Sequence, residues 1–141
     1  MDVIDLTGTY TYRSFLELPD PVDDFNRLRF AQATLELTAS ADGTVGGELI
    51  LSDPGEEPAI IMDMAGTATA ASSRVSFTLS GRGRPPVADF HYEYDGGILR
   101  HWETGVHQRV VLAGTVLRAE PHGGAPAGQT ASFLAVRRDG A

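Results

Sequence analysis

Residues 89–105 concentrate the side chains in this chain that could transfer protons or bind a metal. The stretch DFHYEYDGGILRHWETG holds two His-x-Glu pairs, His91-x-Glu93 and His101-x-Glu103, on either side of a Gly-Gly pair. Imidazole and carboxylate groups are common general acids and bases in catalysis, and the same groups ligate divalent metals. Which of these side chains share a face depends on the element that carries them.

A β-hairpin with a turn at Gly96-Gly97 is the element that the pattern predicts. Side chains alternate between the two faces of a strand, so the turn decides which residues travel together. One face then carries Asp89, His91, Glu93, Arg100 and Trp102, with Glu93 and Arg100 paired across the turn. The other face carries Phe90, Tyr92, Tyr94, Leu99, His101 and Glu103. The two His-x-Glu pairs therefore cannot share one ion, and no metal is expected.

The face that carries the aromatic residues is predicted to point into the protein, because aromatic rings line protein interiors more readily than charged groups do. On this assignment His101 and Glu103 enter an aromatic-walled interior, where burial perturbs the pKa values of both groups. A solvated position of both residues at the rim is an open alternative. The opposite assignment is also open, and it places Trp102, the single tryptophan, in the wall beside His91 and Glu93.

The rest of the chain predicts a single all-β domain over residues 1–141. Alternating apolar positions are punctuated every 8–14 residues by Gly, Pro and Asp, which is typical of antiparallel strands and turns. The predicted strands cover 4–15, 29–39, 44–51, 58–69, 73–80, 87–95, 98–104, 108–118 and 129–137. One short helical turn is expected at 20–26, where Asp20 could cap and Pro21 suits the first helical position.

We expect the strands to form a closed sheet, because an open sheet has two exposed edge strands and closure removes them. About eight or nine antiparallel strands give a barrel whose interior holds side chains or one small ligand. A β-sandwich is the alternative architecture. The inward positions predict an apolar wall in which Met62, Met64 and Phe77 contact a ligand, since methionine adapts to irregular apolar shapes.

The first strand, Leu6-Thr7-Gly8-Thr9-Tyr10, resembles the opening of lipocalin-like and avidin-like barrels. Those calycin-like barrels carry a Gly-x-Trp motif that plugs the closed end, and an arginine from a late strand lies over the ring. Tyr10 stands where the tryptophan is expected, and the resemblance implies that Arg137 or Arg138 supplies the arginine. Tyr12 and Ser14 then share the inward face with Tyr10, so all three are expected to line the lumen.

Composition excludes several kinds of chemistry. The chain has no cysteine, and all eleven basic residues are arginines, so thiolate nucleophiles and lysine Schiff bases are impossible. A net charge of −8 argues against nucleic acids and anionic membranes as partners. No signal peptide or apolar membrane span is evident, which predicts a cytoplasmic protein. No cofactor motif is present, and a homodimer is one open assembly.

These observations favour a cofactor-independent cyclase or isomerase that binds a hydrophobic, polyketide-like molecule in the lumen, as in secondary metabolism. Tyr12, His101 and Glu103 are the expected catalytic residues. The expected ligand-binding residues are Tyr10, Ser14, Met62, Met64, Phe77, Phe90, Tyr92, Tyr94 and Trp102. Two alternatives are open: a non-catalytic carrier or sensor of the same ligand, and an interaction module whose core is filled.

Overall fold

The computed structural model describes residues 1–19, 22–51, 60–72, 74–100 and 108–138. It is a closed antiparallel barrel of eight strands, each hydrogen-bonded to the next in sequence, with the last returning to the first. This confirms the predicted all-β closed barrel. The strands are β1 (Gly8–Leu16), β2 (Arg29–Ala39), β3 (Thr44–Ile50), β4 (Ile61–Ala71), β5 (Arg74–Gly83), β6 (His91–Ile98), β7 (Val111–Arg118) and β8 (Thr130–Arg137).

The core lies inside the barrel because the apolar residues alternate with polar ones along each strand. In β2 the inward residues Leu35, Leu37 and Ala39 are buried, while Glu36 and Thr38 between them are exposed. The same alternation runs through the other strands, as expected where one face of a sheet is covered and the other is wet. The lumen is therefore lined by large apolar side chains.

The predicted turn at Gly96-Gly97 is wrong, because both glycines lie within the continuous strand β6. Gly96 pairs with Phe77 of β5 on one side and with Gly114 of β7 on the other. A Cβ on Gly96 would lie 2.5 Å from the Ala113 carbonyl oxygen and 3.0 Å from the Phe133 ring, and a Cβ on Gly97 would lie 2.6 Å from the Val75 carbonyl oxygen. Both glycines thus allow close packing within the sheet, and the separate strand predicted at 98–104 does not start after a turn.

Substitution of Gly114 by Ala should strongly destabilise the barrel. An added Cβ would overlap the Asp95 carbonyl oxygen and the Gly96 Cα, both parts of the backbone. Such overpacking costs about 1–3 kcal/mol of unfolding free energy, measured here by urea denaturation. Gly46→Ala is the matched control, because the nearest atom to its added Cβ is 3.8 Å away. Equal losses from the two substitutions would contradict this explanation of the Gly96–Gly114 pair.

Two short 3₁₀ helices accompany the described strands. The first is Val3–Leu6, and residues 4–6 of it were predicted as the start of the first strand. The Asp2 carboxylate caps this helix, and the Asp5 carboxylate accepts a hydrogen bond from the backbone N–H of Asp2. The second, Phe25–Leu28, is capped by Asp24, so the predicted bounds of 20–26 are corrected towards the C-terminus. Asp20 and Pro21 lie outside the described residues. In the part of the chain that is described, no helix is long and apolar enough to cross a membrane.

Candidate functional site

One end of the barrel is closed by Tyr10. Its ring is completely buried, and its hydroxyl donates a 2.8 Å hydrogen bond to the carbonyl oxygen of Leu6 in the first 3₁₀ helix. The guanidinium of Arg137 lies 5.8 Å from the centre of the ring, and it also donates to the Asp5 carbonyl oxygen. This is the aromatic–arginine packing that the first-strand motif implied. Tyr10 therefore packs at the closed end of the barrel, and it is not among the residues that line the lumen cavity described below.

The barrel interior contains a cavity of about 230 Å³ towards the opposite end. Its walls are mostly apolar, and its polar groups are few. The lining residues are Tyr12, Ser14, Phe30, Ala31, Leu49, Leu51, Ile60, Met62, Phe90, Tyr92, Tyr94, Val116, Arg118 and His122. An apolar concave site with a small number of polar groups is the usual form of a small-molecule site.

Six of the residues predicted from sequence meet at this cavity: Tyr12, Ser14, Met62, Phe90, Tyr92 and Tyr94. Two others, Met64 and Phe77, lie deeper, around a narrow void that Tyr12, Tyr94 and Phe133 also border. His101, Trp102 and Glu103 lie outside the described residues, in the segment that connects β6 to β7. Their roles stay predictions.

A polar cluster of Arg118, Tyr92 and His122 lies at the cavity. The Nε of Arg118 donates to the Tyr92 hydroxyl oxygen at 3.2 Å, and that oxygen lies 2.7 Å from Nε2 of His122. Arginine can only donate, so the Tyr92 oxygen accepts from it and is free to donate its own proton to a neutral imidazole. The three side chains are therefore joined through the Tyr92 hydroxyl, which can donate to His122 in the tautomer that leaves Nε2 without a hydrogen.

Aromatic contacts hold this cluster in place. The His122 ring stacks on Phe90 with centroids 4.0 Å apart, and the Arg118 guanidinium lies 5.4 Å from the centre of the Phe30 ring. Arg118 is itself buried, with 7% of its surface exposed. Its Nη1 donates to the Pro126 carbonyl oxygen at 3.3 Å, which ties the end of β7 to the following loop.

Neither Arg118 nor His122 was predicted as a site residue from the sequence. Arg118 continues the inward alternation of Leu112, Gly114 and Val116 on β7, which was the available signal. No local pattern could reveal His122, because it reaches the cavity from the glycine-rich loop between β7 and β8. Loops commonly bring functional side chains to the end of a barrel in this way.

The wall of the cavity contributed by β1 presents two hydroxyl groups. Ser14 is completely buried, and its hydroxyl has no hydrogen-bond partner among the described residues. Such an orphaned group costs free energy unless a ligand or water satisfies it. Burial raises the pKa of Tyr12 well above its usual range, so its phenol stays protonated and can donate. The β1 wall thus offers hydrogen-bond donors to a polar atom in the cavity.

The His91–Glu93 pair lies on the outside of the barrel, which excludes the alternative inward assignment. Nε2 of His91 is 2.6 Å from the Glu93 carboxylate, which also accepts from the Ser80 hydroxyl. Partial burial opposes ionisation of Glu93, but the hydrogen bonds from Ser80 and His91 lower its pKa. The predicted Glu93–Arg100 pair across a turn is wrong, because β6 continues through the glycines and Glu93 faces Ser80 and Leu117.

High pH should destabilise the protein through Tyr12 and Tyr94. Burial raises the pKa of both phenols above the usual 10.0, so the folded state disfavours their ionisation. This stabilisation is complete below about pH 10, and it is lost as the pH rises from there towards the folded-state pKa. Urea denaturation over this pH range should show a falling unfolding free energy. Tyr12→Phe should reduce the fall of the unfolding free energy with pH by about 1.4 kcal/mol per pH unit. An unfolding free energy that does not change above pH 10 in the wild-type protein would contradict the raised pKa of the two phenols.

Searches against family models, curated proteins and solved structures found no match for this chain.

Proposed function

We propose that the barrel binds a compact, largely apolar carbonyl compound in its lumen and isomerises or cyclises it without a cofactor. The observation that carries the proposal is the juxtaposition of an apolar cavity with the hydrogen-bonded Arg118–Tyr92–His122 cluster. The apolar walls would supply affinity, and the cluster would supply proton transfer. A filled-core interaction module is less well supported, because this interior contains space.

The size of the cavity favours a small ligand. Its volume of about 230 Å³ exceeds the roughly 150 Å³ at which an apolar protein cavity accepts benzene, and is below the roughly 300–1,000 Å³ of sites for drug-sized molecules. A ligand of roughly ten non-hydrogen atoms is therefore expected inside the barrel. This favours one or two small rings over an extended polyketide chain.

The chemistry begins with removal of a proton from the carbon next to the carbonyl group. Tyr92 passes its hydroxyl proton to His122, and the guanidinium of Arg118 stabilises the resulting phenolate. The phenolate takes the carbon-bound proton, and the substrate becomes an enolate whose oxygen accepts from Ser14 or Tyr12. Transfer of the proton from Tyr92 to a different carbon completes an isomerisation. In a cyclisation, the enolate carbon attacks a second carbonyl, and the alkoxide that forms takes the proton from Tyr92. In both cases His122 then returns its proton to the Tyr92 oxygen. Each step conserves protons and electrons, and none requires an oxidant or a metal.

Solvent exchange of a ketone tests this proposal at its first step. β-Tetralone is a compact two-ring ketone, and enolisation in D₂O replaces its carbon-bound protons by deuterium, which proton NMR measures directly. We expect the protein to accelerate the exchange above the buffer rate in proportion to protein concentration, with saturation at high ketone concentration. A rate equal to that of the buffer, at concentrations where the ketone is shown to bind, would contradict the catalytic proposal.

A carrier or sensor is the second candidate, and the mostly apolar lining favours it. Such a lining provides affinity for a ligand whether or not a reaction follows. Binding of β-tetralone with no acceleration of exchange, and recovery of the ketone unchanged by mass spectrometry, would support the carrier over the enzyme.

A further inference from the structure

Arg118 is a buried cation that pairs with no carboxylate of the described residues. Only 7% of its surface is exposed, and no carboxylate of the described residues forms an ion pair with it. Among the described residues, Arg84 forms ion pairs with Glu48 and Asp63, far from Arg118 in the sheet order. The His91 ring lies within 4 Å of Glu93 and Glu120. A charge taken out of water is costly unless an opposite charge accompanies it.

Within the described part of the chain, the partners of Arg118 are all uncharged. Its Nε donates to the Tyr92 hydroxyl, its Nη1 donates to the Pro126 carbonyl, and its guanidinium lies over the rings of Phe30 and Tyr92. A guanidinium has five N–H donors, so these two hydrogen bonds leave three donors for another group. Aromatic faces attract a cation but do not neutralise it.

We infer that the lumen ligand carries a carboxylate, and that Arg118 is its counter-ion. Arginine pairs with carboxylates more effectively than any other side chain, and the ion pair is strongest where water is excluded. The apolar walls would hold the hydrocarbon part of the ligand. The ligand class is therefore a compact hydrophobic acid, with the carboxylate at the Arg118 end of the cavity.

This inference rests on the proposed function, because it names the class of ligand for the same cavity. It also adds to the chemistry of that cavity. An acid anchored at Arg118 would hold its carbon skeleton in one orientation against Tyr92, since Arg118 contacts the Tyr92 hydroxyl directly. Orientation of this kind raises the rate of a reaction between groups already in contact.

Calorimetric titration with cinnamate and cinnamamide tests the inference in the wild-type protein. The two compounds have nearly the same shape and differ in charge, so a charged partner must bind the acid more tightly. We expect about 10- to 100-fold tighter binding of cinnamate, the range for a hydrogen bond to a charged group. Equal affinity for the two compounds would overturn the inference and leave lumen binding intact. Failure of both compounds to bind would count against the proposed function itself.

Substitution of Arg118 by Met assigns the preference to this residue. The variant should lose the preference for cinnamate and keep its affinity for cinnamamide. Arg74→Met is the matched control, because Arg74 is exposed at the start of β5 and does not line the cavity; it should preserve the preference. A preference for cinnamate that survives in a folded Arg118→Met protein would overturn the assignment. If that variant does not fold, Arg118→Lys keeps a charge at the position and should retain part of the preference.

Discussion

Replacement of Tyr92 by Phe is expected to lower the rate of ketone exchange by about 100- to 10,000-fold, the usual range for loss of a positioned acid–base group. The substitution keeps the ring that lines the cavity and removes only the oxygen between Arg118 and His122. Affinity for the ketone should therefore change much less than the rate constant at saturation. Proton NMR of β-tetralone in D₂O measures both quantities from the dependence of rate on concentration.

Tyr10→Phe is the matched control for this substitution. Its hydroxyl is also buried and hydrogen-bonded, but it bonds to Leu6 at the closed end and does not line the cavity. The control should lose about 1 kcal/mol of stability, the net contribution of one hydrogen bond, and keep the exchange rate of the wild type. Equal rates for Tyr92→Phe and the wild type would remove the Tyr92 hydroxyl from the mechanism.

Replacement of Phe133 by Ala is expected to lower the free energy of unfolding by about 3–5 kcal/mol, as for other large aromatic residues removed from cores. The Phe133 ring is 97% buried, and it stacks on Tyr12 with centroids 5.5 Å apart. It also contacts the rings of Phe77 and Tyr94, at centroid distances of 6.4 and 6.1 Å. One ring thus joins three others beneath the cavity, and its loss leaves a void that the rigid barrel cannot close.

Phe25→Ala is the control for Phe133→Ala, because Phe25 is 59% exposed and its described ring contact is with Phe15 alone. Phe25→Ala should lower the free energy of unfolding by about 0.5 kcal/mol or less, as is typical of surface substitutions. The free energy of unfolding of a domain is only about 5–15 kcal/mol, so this loss is enough to unfold a marginally stable domain. If Phe133→Ala does not fold, Phe133→Leu is the variant to measure, and it should show a smaller decrease in unfolding free energy. Equal losses at Phe133 and Phe25 would contradict the central position of the Phe133 ring.

The barrel could be predicted from the sequence because its signals are local. Alternation along β2, such as Leu35 and Leu37 against Glu36 and Thr38, identifies both the strand and its inward face. The inward set of Tyr10, Tyr12 and Ser14 on β1 follows from the same period of two. Six of the predicted site residues, Tyr12 and five of the predicted ligand contacts, line the cavity for this reason.

The remainder depends on contacts between residues far apart in sequence. A Gly-Gly pair is locally a strong turn signal. Gly96 and Gly97 instead continue a strand, where a Cβ on Gly96 would meet the Ala113 carbonyl oxygen and the Phe133 ring, and a Cβ on Gly97 would meet the Val75 carbonyl oxygen. Likewise, the contact of His122 with Tyr92 joins a loop to a strand thirty positions away. Of the predicted catalytic residues Tyr12, His101 and Glu103, Tyr12 lines the cavity, while His101 and Glu103 lie outside the described residues. Arg118 and His122, which the sequence did not predict, reach the cavity from β7 and from the loop after it.

Binding inside the lumen is the central claim, and the three methionines allow a direct test. Labelling with [methyl-¹³C]methionine gives one NMR signal each for Met1, Met62 and Met64. Met62 lines the cavity, Met64 borders the void beneath it, and Met1 lies exposed at the N-terminus. Titration with cinnamate or β-tetralone should shift the Met62 signal most, the Met64 signal less, and the Met1 signal not at all. Saturable binding by calorimetry that leaves the Met62 signal unmoved would contradict a site in the lumen.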